Sequence, residues 1–207
     1  YIIAENEPQN VRMLHAPAQN GHGMDATDLL MCVERHATSK IPDNNLFNIQ
    51  SLGFRGEALA AVGSIARLSI TTRQKNEQMA LSLCVEGGIK SDIQPAKGTF
   101  FGTLIEVRDL FYATPARLKF LKTTGSELSH CVDVVEKIAL SHPSISFILK
   151  HNDRTLLNFN LTHDLSVRLN HALGEDFIEN AIEISPRHES NVELNIHGYT
   201  SVTTYHA

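Results

Sequence analysis

From Met79 to Glu86 the chain alternates residue by residue, with Met79, Leu81, Leu83 and Val85 on one side and polar or small residues on the other. Period-two alternation over this length demands a strand with one buried face, and Gly87-Gly88 then turns the chain back. Leu68 to Thr72 and Thr103 to Val107 read as further strands. Ile145, Phe147 and Leu149 alternate into an Asn152-Asp153 turn, and Leu157 and Phe159 alternate back, which predicts a hairpin. Val11 to Leu14 is a short strand-like stretch, and Tyr1 to Pro8 reads as a strand followed by a turn. Two further strands are predicted at Ala181 to Ile184 and Val192 to Tyr199.

Between these strands the apolar period lengthens to that of a helix. Asp25 is placed to cap a helix with Ala26, Leu29, Leu30, Val33 and Ala37 on one face, closed by His36 to Lys40 and stopped by Pro42. A second helix runs from the turn at Gly56 to about Ala66. Thr124-Gly125-Ser126-Glu127 fits a capping box, and behind it Leu128, Cys131, Val132, Val135, Ile138 and Ala139 share a face. A short helix carries Leu165, Leu169, Ala172 and Leu173, with Gly174 as its stop. Strands and helices thus mix without strict alternation, which is an α+β pattern. A boundary is expected near Thr162 to Asp164, giving one domain over 1–163 and the beginning of a second α/β domain over 164–207.

The 207 residues are 42% hydrophobic and 20% charged, an ordinary globular balance. No apolar run approaches the ~18 residues of a membrane span. The net charge of -5 excludes a uniformly basic nucleic-acid coat while leaving room for a local basic face. Cys32, Cys84 and Cys131 are far apart and odd in number, with no CxxC, which suits a reducing cytosol in which buried thiols act as small hydrophobes. Eleven scattered histidines give no metal constellation, and no signal peptide is visible. The chain opens on Tyr1 rather than Met, which reads as a start inside a longer protein.

Three segments hold more glycine, charge and hydroxyl than packing requires. In Asn20-Gly21-His22-Gly23-Met24 the glycines let backbone approach a flat ligand, although such a pattern alone is equally a turn between strand and helix. Thr38-Ser39-Lys40 offers hydroxyls and an ammonium to phosphate oxygens, or simply closes a helix in agreement with its dipole. In Gly53-Phe54-Arg55-Gly56-Glu57-Ala58-Leu59 two glycines bracket an arginine just before a helix. Unpaired amides at a helix start form an anion site, and Arg55 adds a full charge; the alternative is a loop in which Glu57 caps the helix. Neither GxxxxGK[ST] nor GxGxxG is present, so a nucleotide here requires a different fold.

The order of these segments resembles the MutL family of DNA mismatch repair proteins, within the GHKL ATPases. The resemblance rests on Glu34 to Lys40 (ERHATSK), Ser51 to Leu59 (SLGFRGEAL) and Asp109 to Leu121 (DLFYATPARLKFL), and it spans roughly residues 11 to 207. The last of these strings disfavours a topoisomerase subunit, and Arg117 to Leu140 has a bacterial wording. The resemblance implies a GHKL, Bergerat-type mixed sheet with helices on one face and ATP with magnesium held beneath a mobile lid. It would set Asn20, Gly21 and Gly23 along adenine and sugar, Thr38, Ser39 and Lys40 on phosphates, and Gly53, Phe54, Arg55, Gly56, Glu57, Ala58 and Leu59 as the lid and its helix start. Thr103 would lie in the sheet near the adenine.

Two departures accompany it. Gln19 stands where the family has Asp, replacing a charged acceptor by a neutral one. The upstream helix (ELVENSxDA in the family), which supplies the water-activating Glu and the magnesium-binding Asn, is not found, so no catalytic residue is assigned. The chain alone is expected to bind ATP weakly and not to hydrolyse it. The resemblance further implies ATP-dependent homodimerisation, contact with DNA and with mismatch-recognition, nuclease and helicase proteins, and a cytoplasmic, nucleoid-associated location. Arg108, Arg117, Lys119 and Lys122 are the candidate DNA contacts, a solvated face being the alternative. The departures also motivate a rival reading: a non-catalytic interaction module that keeps the fold and has lost nucleotide binding.

Overall fold

The computed structural model describes residues 2–4, 11–14, 21–37, 55–97, 101–185 and 196–202. In chain order these form β1 (Ile2–Ala4), β2 (Val11–Leu14), α1 (Ala26–Met31), α2 (Ala58–Ile65), β3 (Arg67–Arg73) and β4 (Ala80–Glu86). Then come β5 (Ile89–Lys90), β6 (Gln94–Ala96), β7 (Gly102–Arg108), a 3-10 helix (Pro115–Phe120) and α3 (Thr124–Ser141). The chain continues with β8 (Phe147–His151), β9 (Arg154–Phe159), α4 (Leu165–Leu173), α5 (Glu175–Glu179), β10 (Ala181–Ile184) and β11 (Gly198–Ser201). Contacts divide it into two compact units, 1–128 with 149–155 and 129–148 with 156–207.

In the first unit β3 lies antiparallel between β4 and β7, with Thr72 opposite Leu81 on one side and Thr103 on the other. β4 also pairs with the short β5 and β6, and β7 pairs with β2. β2 pairs antiparallel with β1, whose other edge runs parallel to β8, Ile2 opposite Leu149. One parallel pair among antiparallel ones makes the sheet mixed, as expected.

Burial follows the alternation at Leu83 and Val85, whereas Met79, expected on the same side, is 58% exposed ahead of β4 and Ala80 is buried instead. Leu68, Ile70, Leu83 and Val85 form the core with Leu29 of α1 and Val33 just beyond it, and Leu59 and Val62 of α2 pack against them. Both helices therefore cover one face of β3 and β4, each buried aliphatic side chain contributing roughly 1.5–3 kcal/mol of transfer free energy. α2 lies close because Gly63 has no side chain: a Cβ there would stand 2.9 Å from Val85 Cγ1.

α1 is shorter than the apolar spacing predicts. Asp25 caps it as expected, accepting from Asp28 N at 2.8 Å, but the helix ends at Met31. Glu34 N turns back to Met31 O, and His36 adopts φ 65° with its amide donated to Gly56 O at 3.1 Å. That tertiary bond takes the amide a longer helix would use, and Leu30, predicted on the inner face, is 44% exposed. The capping box is displaced by one residue. Thr123 rather than Thr124 accepts from Ser126 N, and Glu127 reaches back to Lys122 N at 2.8 Å. Behind it only Val135 and Ala139 are fully buried; Cys131 and Ile138 are exposed.

The cysteines also need correction. Cys32 is partly buried, and desolvation followed by the nearby Asp28 carboxylate pushes its thiol up to about 11. Cys84 and Cys131 are exposed, so two of the three are not core hydrophobes.

In the second unit Asp164 caps α4 and Gly174, at φ 88°, ends it. Arg168 is buried inside this unit, 1% exposed. Its Nη2 meets the carbonyls of Pro143, Ile145 and Asn160 at 2.7, 2.8 and 2.9 Å. The guanidinium also lies over the Phe159 and Phe147 rings. β10 pairs antiparallel with β11, Ile184 opposite Gly198. Of the strand predicted from Val192 to Tyr199, Ile196 and His197 precede β11, which begins at Gly198, and 192–195 lie outside the described residues. No helix among the described residues is long and apolar enough to cross a membrane.

Candidate functional site

Leu68, Ile70 and Thr72 share one face of β3, and the apolar row ends in a hydroxyl. Thr72 is fully buried, at 0% exposure. Its Oγ1 accepts from Met24 N at 2.9 Å, donates to Gly102 O at 3.2 Å, and lies 3.0 Å from Thr103 Oγ1 on the paired strand. One side chain thereby ties the first glycine segment, at the entry to α1, to the start of β7. Gly23 completes the junction. It has φ +71°, and a Cβ on it would lie 2.3 Å from Arg73 O. Backbone there rests directly on backbone, which only glycine permits. Gly102 approaches the same segment, its Cβ position 3.8 Å from Gly21 Cα and O. Gly21, Gly23 and Thr103 are therefore brought together, while Asn20 and Gln19 lie outside the described residues.

Thr38, Ser39, Lys40, Gly53 and Phe54 also lie outside the described residues, but the chain on either side of them converges. Gly56 has φ +61°, and a Cβ on it would meet Ala37 O at 2.2 Å. Glu57 stands at the N-cap of α2 and makes no side-chain cap bond; its carboxylate instead lies 3.2 Å from His36 Nδ1. The reading in which Glu57 caps the helix is corrected accordingly. The first intrahelical bond runs from Ala61 N to Glu57 O, so the amides of Ala58, Leu59 and Ala60 face out of the helix end. Such an end carries positive partial charge and suits an anion. Arg55 is exposed beside it, and Leu59 packs against the core.

The candidate DNA residues sit on a different part of the first unit. Arg108 ends β7 opposite Arg67, and its Nη2 lies 3.3 Å from Glu106 Oε1. Arg67 bridges Glu86 and Asp109 at 2.9 and 3.0 Å and stacks over Tyr112 at 4.7 Å. This pins a loop in which two non-glycine residues, Asp109 and Phe111, have φ 50° and 69°. Arg117 and Lys119 are exposed on the 3-10 helix that follows, beside Phe120 (83% exposed), and Lys122 is exposed just after it.

Sequence reasoning missed Thr72 and Arg67. Thr72 carried a signal, a polar residue in the apolar register of a strand; the partners of Arg67 are distant in sequence and left none. Among the described residues no group of three or more His, Cys, Asp or Glu is arranged to hold a metal.

A mixed sheet covered on one face by two helices, with glycine junctions at the strand ends and helix start, is the α+β arrangement expected of a GHKL-type domain. The solved structures agree. The Aquifex aeolicus MutL ATPase domain complexed with ADP superposes with a TM-score of 0.64 at 24% identity, over 83% of this chain and 60% of that one. The N-terminal domain of a DNA repair protein gives 0.73 at 22% identity, over 99% and 63%.

No family model matches the chain. Curated relatives do. The MutL of Rickettsia bellii is 43% identical over 209 residues, covering 99% of this chain and 33% of that protein. The MutL of Rhodospirillum rubrum is 44% identical over 191 residues, covering 90% and 30%. The chain belongs to the MutL family, and it spans about a third of the length of the curated relatives it matches.

Proposed function

We propose that the protein is a MutL-type mismatch repair protein and that this chain is part of its ATP-binding region. The observation that carries the reading is the backbone junction of Ala37 with Gly56. It seats the residue just before Thr38, Ser39 and Lys40 on the turn at the start of α2, which supports a common site for their hydroxyls and ammonium with Arg55 and the helix-end amides. A triphosphate carries about four negative charges, and oriented amides with Lys40 and Arg55 suit it. The start of α2 fits an anion, because the Glu57 carboxylate at its N-cap makes no bond to its amides. The base would then lie toward Gly21, Gly23 and Thr103, with Asn20 and Gln19 alongside. The described residues hold no ligand set for magnesium.

On this reading ATP orders the lid segment from Gly53 to Leu59, and the closed lid favours pairing of two N-terminal regions. The pair relays mismatch recognition to nuclease and helicase partners in the bacterial cytoplasm, at the nucleoid. The organisation that goes with it is an ATP-binding domain over 1–163 followed by the beginning of a second domain.

Titration with a fluorescent ATP analogue tests the core of this. A saturable signal displaced by ATP and lost in a Lys40→Ala, Arg55→Ala double variant is expected. No saturable signal from the intact protein would leave the interaction module as the better reading. The DNA role of Arg108, Arg117, Lys119 and Lys122 is tested separately. Because the chain is acidic overall, phosphate contacts must be local. Reversing charge at Lys119 and Lys122 should reduce the slope of log affinity against log salt by about 2, and an unchanged slope rejects the assignment.

A further inference from the structure

His36 grips two consecutive residues of the turn that leads into α2. Its amide donates to Gly56 O at 3.1 Å, and its ring Nδ1 lies 3.2 Å from Glu57 Oε1. A carboxylate offers only lone pairs, so the ring nitrogen that faces it carries the hydrogen, whether the ring is neutral or charged. The grip has a fixed base: Glu34, two residues earlier, is paired with Lys90 of β5. The two side chains are 77% and 53% exposed, so the pair stands where a solute reaches it. An ion pair so exposed adds little to stability. What it does set is the direction of a carboxylate.

Glu57 is the N-cap residue of α2, and a carboxylate at that position is drawn toward the positive helix end and its unpaired amides. Turned inward, it would occupy the amides of Ala58, Leu59 and Ala60 and set its own charge against an arriving anion. In contact with His36 it makes no bond to them. We propose that His36 is a positioning residue for phosphate binding, which draws the Glu57 carboxylate off the start of α2 and so keeps that helix end open to a triphosphate. This rests on the nucleotide reading above and adds to it the side chain that keeps the place of the anion free. The same residue supplies the precision: its amide fixes Gly56 while its ring turns the side chain of Glu57 aside.

The test is the affinity of the intact protein for the fluorescent ATP analogue across a cycle of variants. His36→Ala removes the ring and keeps the amide, and affinity should fall about threefold to fivefold, the hold of a helix end on a carboxylate. His36→Asn places an amide nitrogen where Nδ1 stands and accepts a positive φ readily, so it should retain most of the affinity. Adding Glu57→Ala to His36→Ala is the decisive step. With no carboxylate left to swing inward, the lost affinity should return. A ring that merely props the turn predicts a double variant as weak as the single one or weaker, and that result would overturn the proposal. Undiminished affinity in His36→Ala would overturn it too, while leaving the nucleotide reading standing. Should His36→Ala fail to fold, His36→Gly removes the same ring at a φ that glycine adopts freely and takes its place in the cycle. A wild type with no saturable binding removes the nucleotide reading and the proposal together.

Discussion

The Cβ that Gly56 lacks would lie 2.2 Å from the carbonyl oxygen of Ala37. The contact is backbone on backbone, so no flexible side-chain end can move aside. Gly56→Ala therefore has to separate the two segments as well as strain φ at +61°. A loss of about 2–4 kcal/mol in stability is expected, together with weakened binding of the ATP analogue. Gly88→Ala is the control. It has φ +87° with nothing within 4 Å of the added carbon, and should cost only about 1 kcal/mol. Urea melts of the two variants, with parallel titrations, check both numbers. Equal losses would mean that the junction contributes conformation alone.

The helix α3 separates a sequence rule from its local execution. TGSE reads as a capping box with Thr124 as the cap, but the Thr123 hydroxyl accepts the Ser126 amide and Glu127 closes back on Lys122 N. Thr123→Ala should thus cost about 1 kcal/mol, whereas Thr124→Ala should be near neutral. The difference in midpoint between these variants decides which threonine is the cap.

Much of the architecture was legible because it is written in local periodicity. The hairpin of β8 and β9 and the α4 stop at Gly174 appear where the spacing puts them, as does β4 apart from Met79, which lies exposed ahead of it. What was not legible depends on partners distant in sequence. The end of α1 is set by Gly56, some twenty residues on, because His36 gives its amide to that carbonyl. The short β5 and β6 exist only as additions to β4, and their own residues have no strand pattern. At the site, glycines 21 and 23 were read as admitting a flat ligand and Gly56 as bracketing Arg55, and at 23 and 56 the close approach is to the chain's own backbone. Thr72 and Arg168 stood at core positions of a strand and a helix, where a polar residue signals a buried network whose partners the sequence does not name.

Asp164 gives the second unit a dependence on acid. Its carboxylate accepts from the Ser166 hydroxyl at 2.7 Å and the Ser166 amide at 2.8 Å, and these bonds hold its pKa below the ordinary 3.8. A carboxyl depressed in the folded state stabilises fully above its unfolded value and loses that contribution as the pH falls through the folded one. The cap of α4 should therefore persist at pH 5 and weaken progressively below about 3.8. Asp164→Asn retains an acceptor without the titration. Its helix signal, followed by circular dichroism from pH 5 to pH 2, should lack the component that the wild type loses. Identical acid profiles would remove Asp164 as the source.

Arg168 holds three carbonyls with one nitrogen. Nη2 has two hydrogens, so at least one is shared among Pro143, Ile145 and Asn160, while Nη1 is buried without a hydrogen-bond partner. Desolvation draws the guanidinium below its ordinary pKa, and the carbonyl dipoles with the faces of Phe159 and Phe147 are what favour the charge. Two of the carbonyls precede β8 and the third follows β9, so the side chain clamps the open end of that hairpin. Truncation should expose this dependence strongly. Arg168→Ala takes the guanidinium from Ile145 O and Asn160 O, leaves Pro143 O only the Thr162 amide and opens a void between two rings, for an expected loss of about 3–5 kcal/mol. Arg168→Lys offers three hydrogens at a single point but is one bond shorter, so a smaller loss of about 1–2 kcal/mol is expected. The order of urea midpoints, wild type above lysine above alanine, checks the geometry. A lysine variant as unstable as alanine would mean that the reach and planarity of the guanidinium, rather than its charge and hydrogens, hold the clamp.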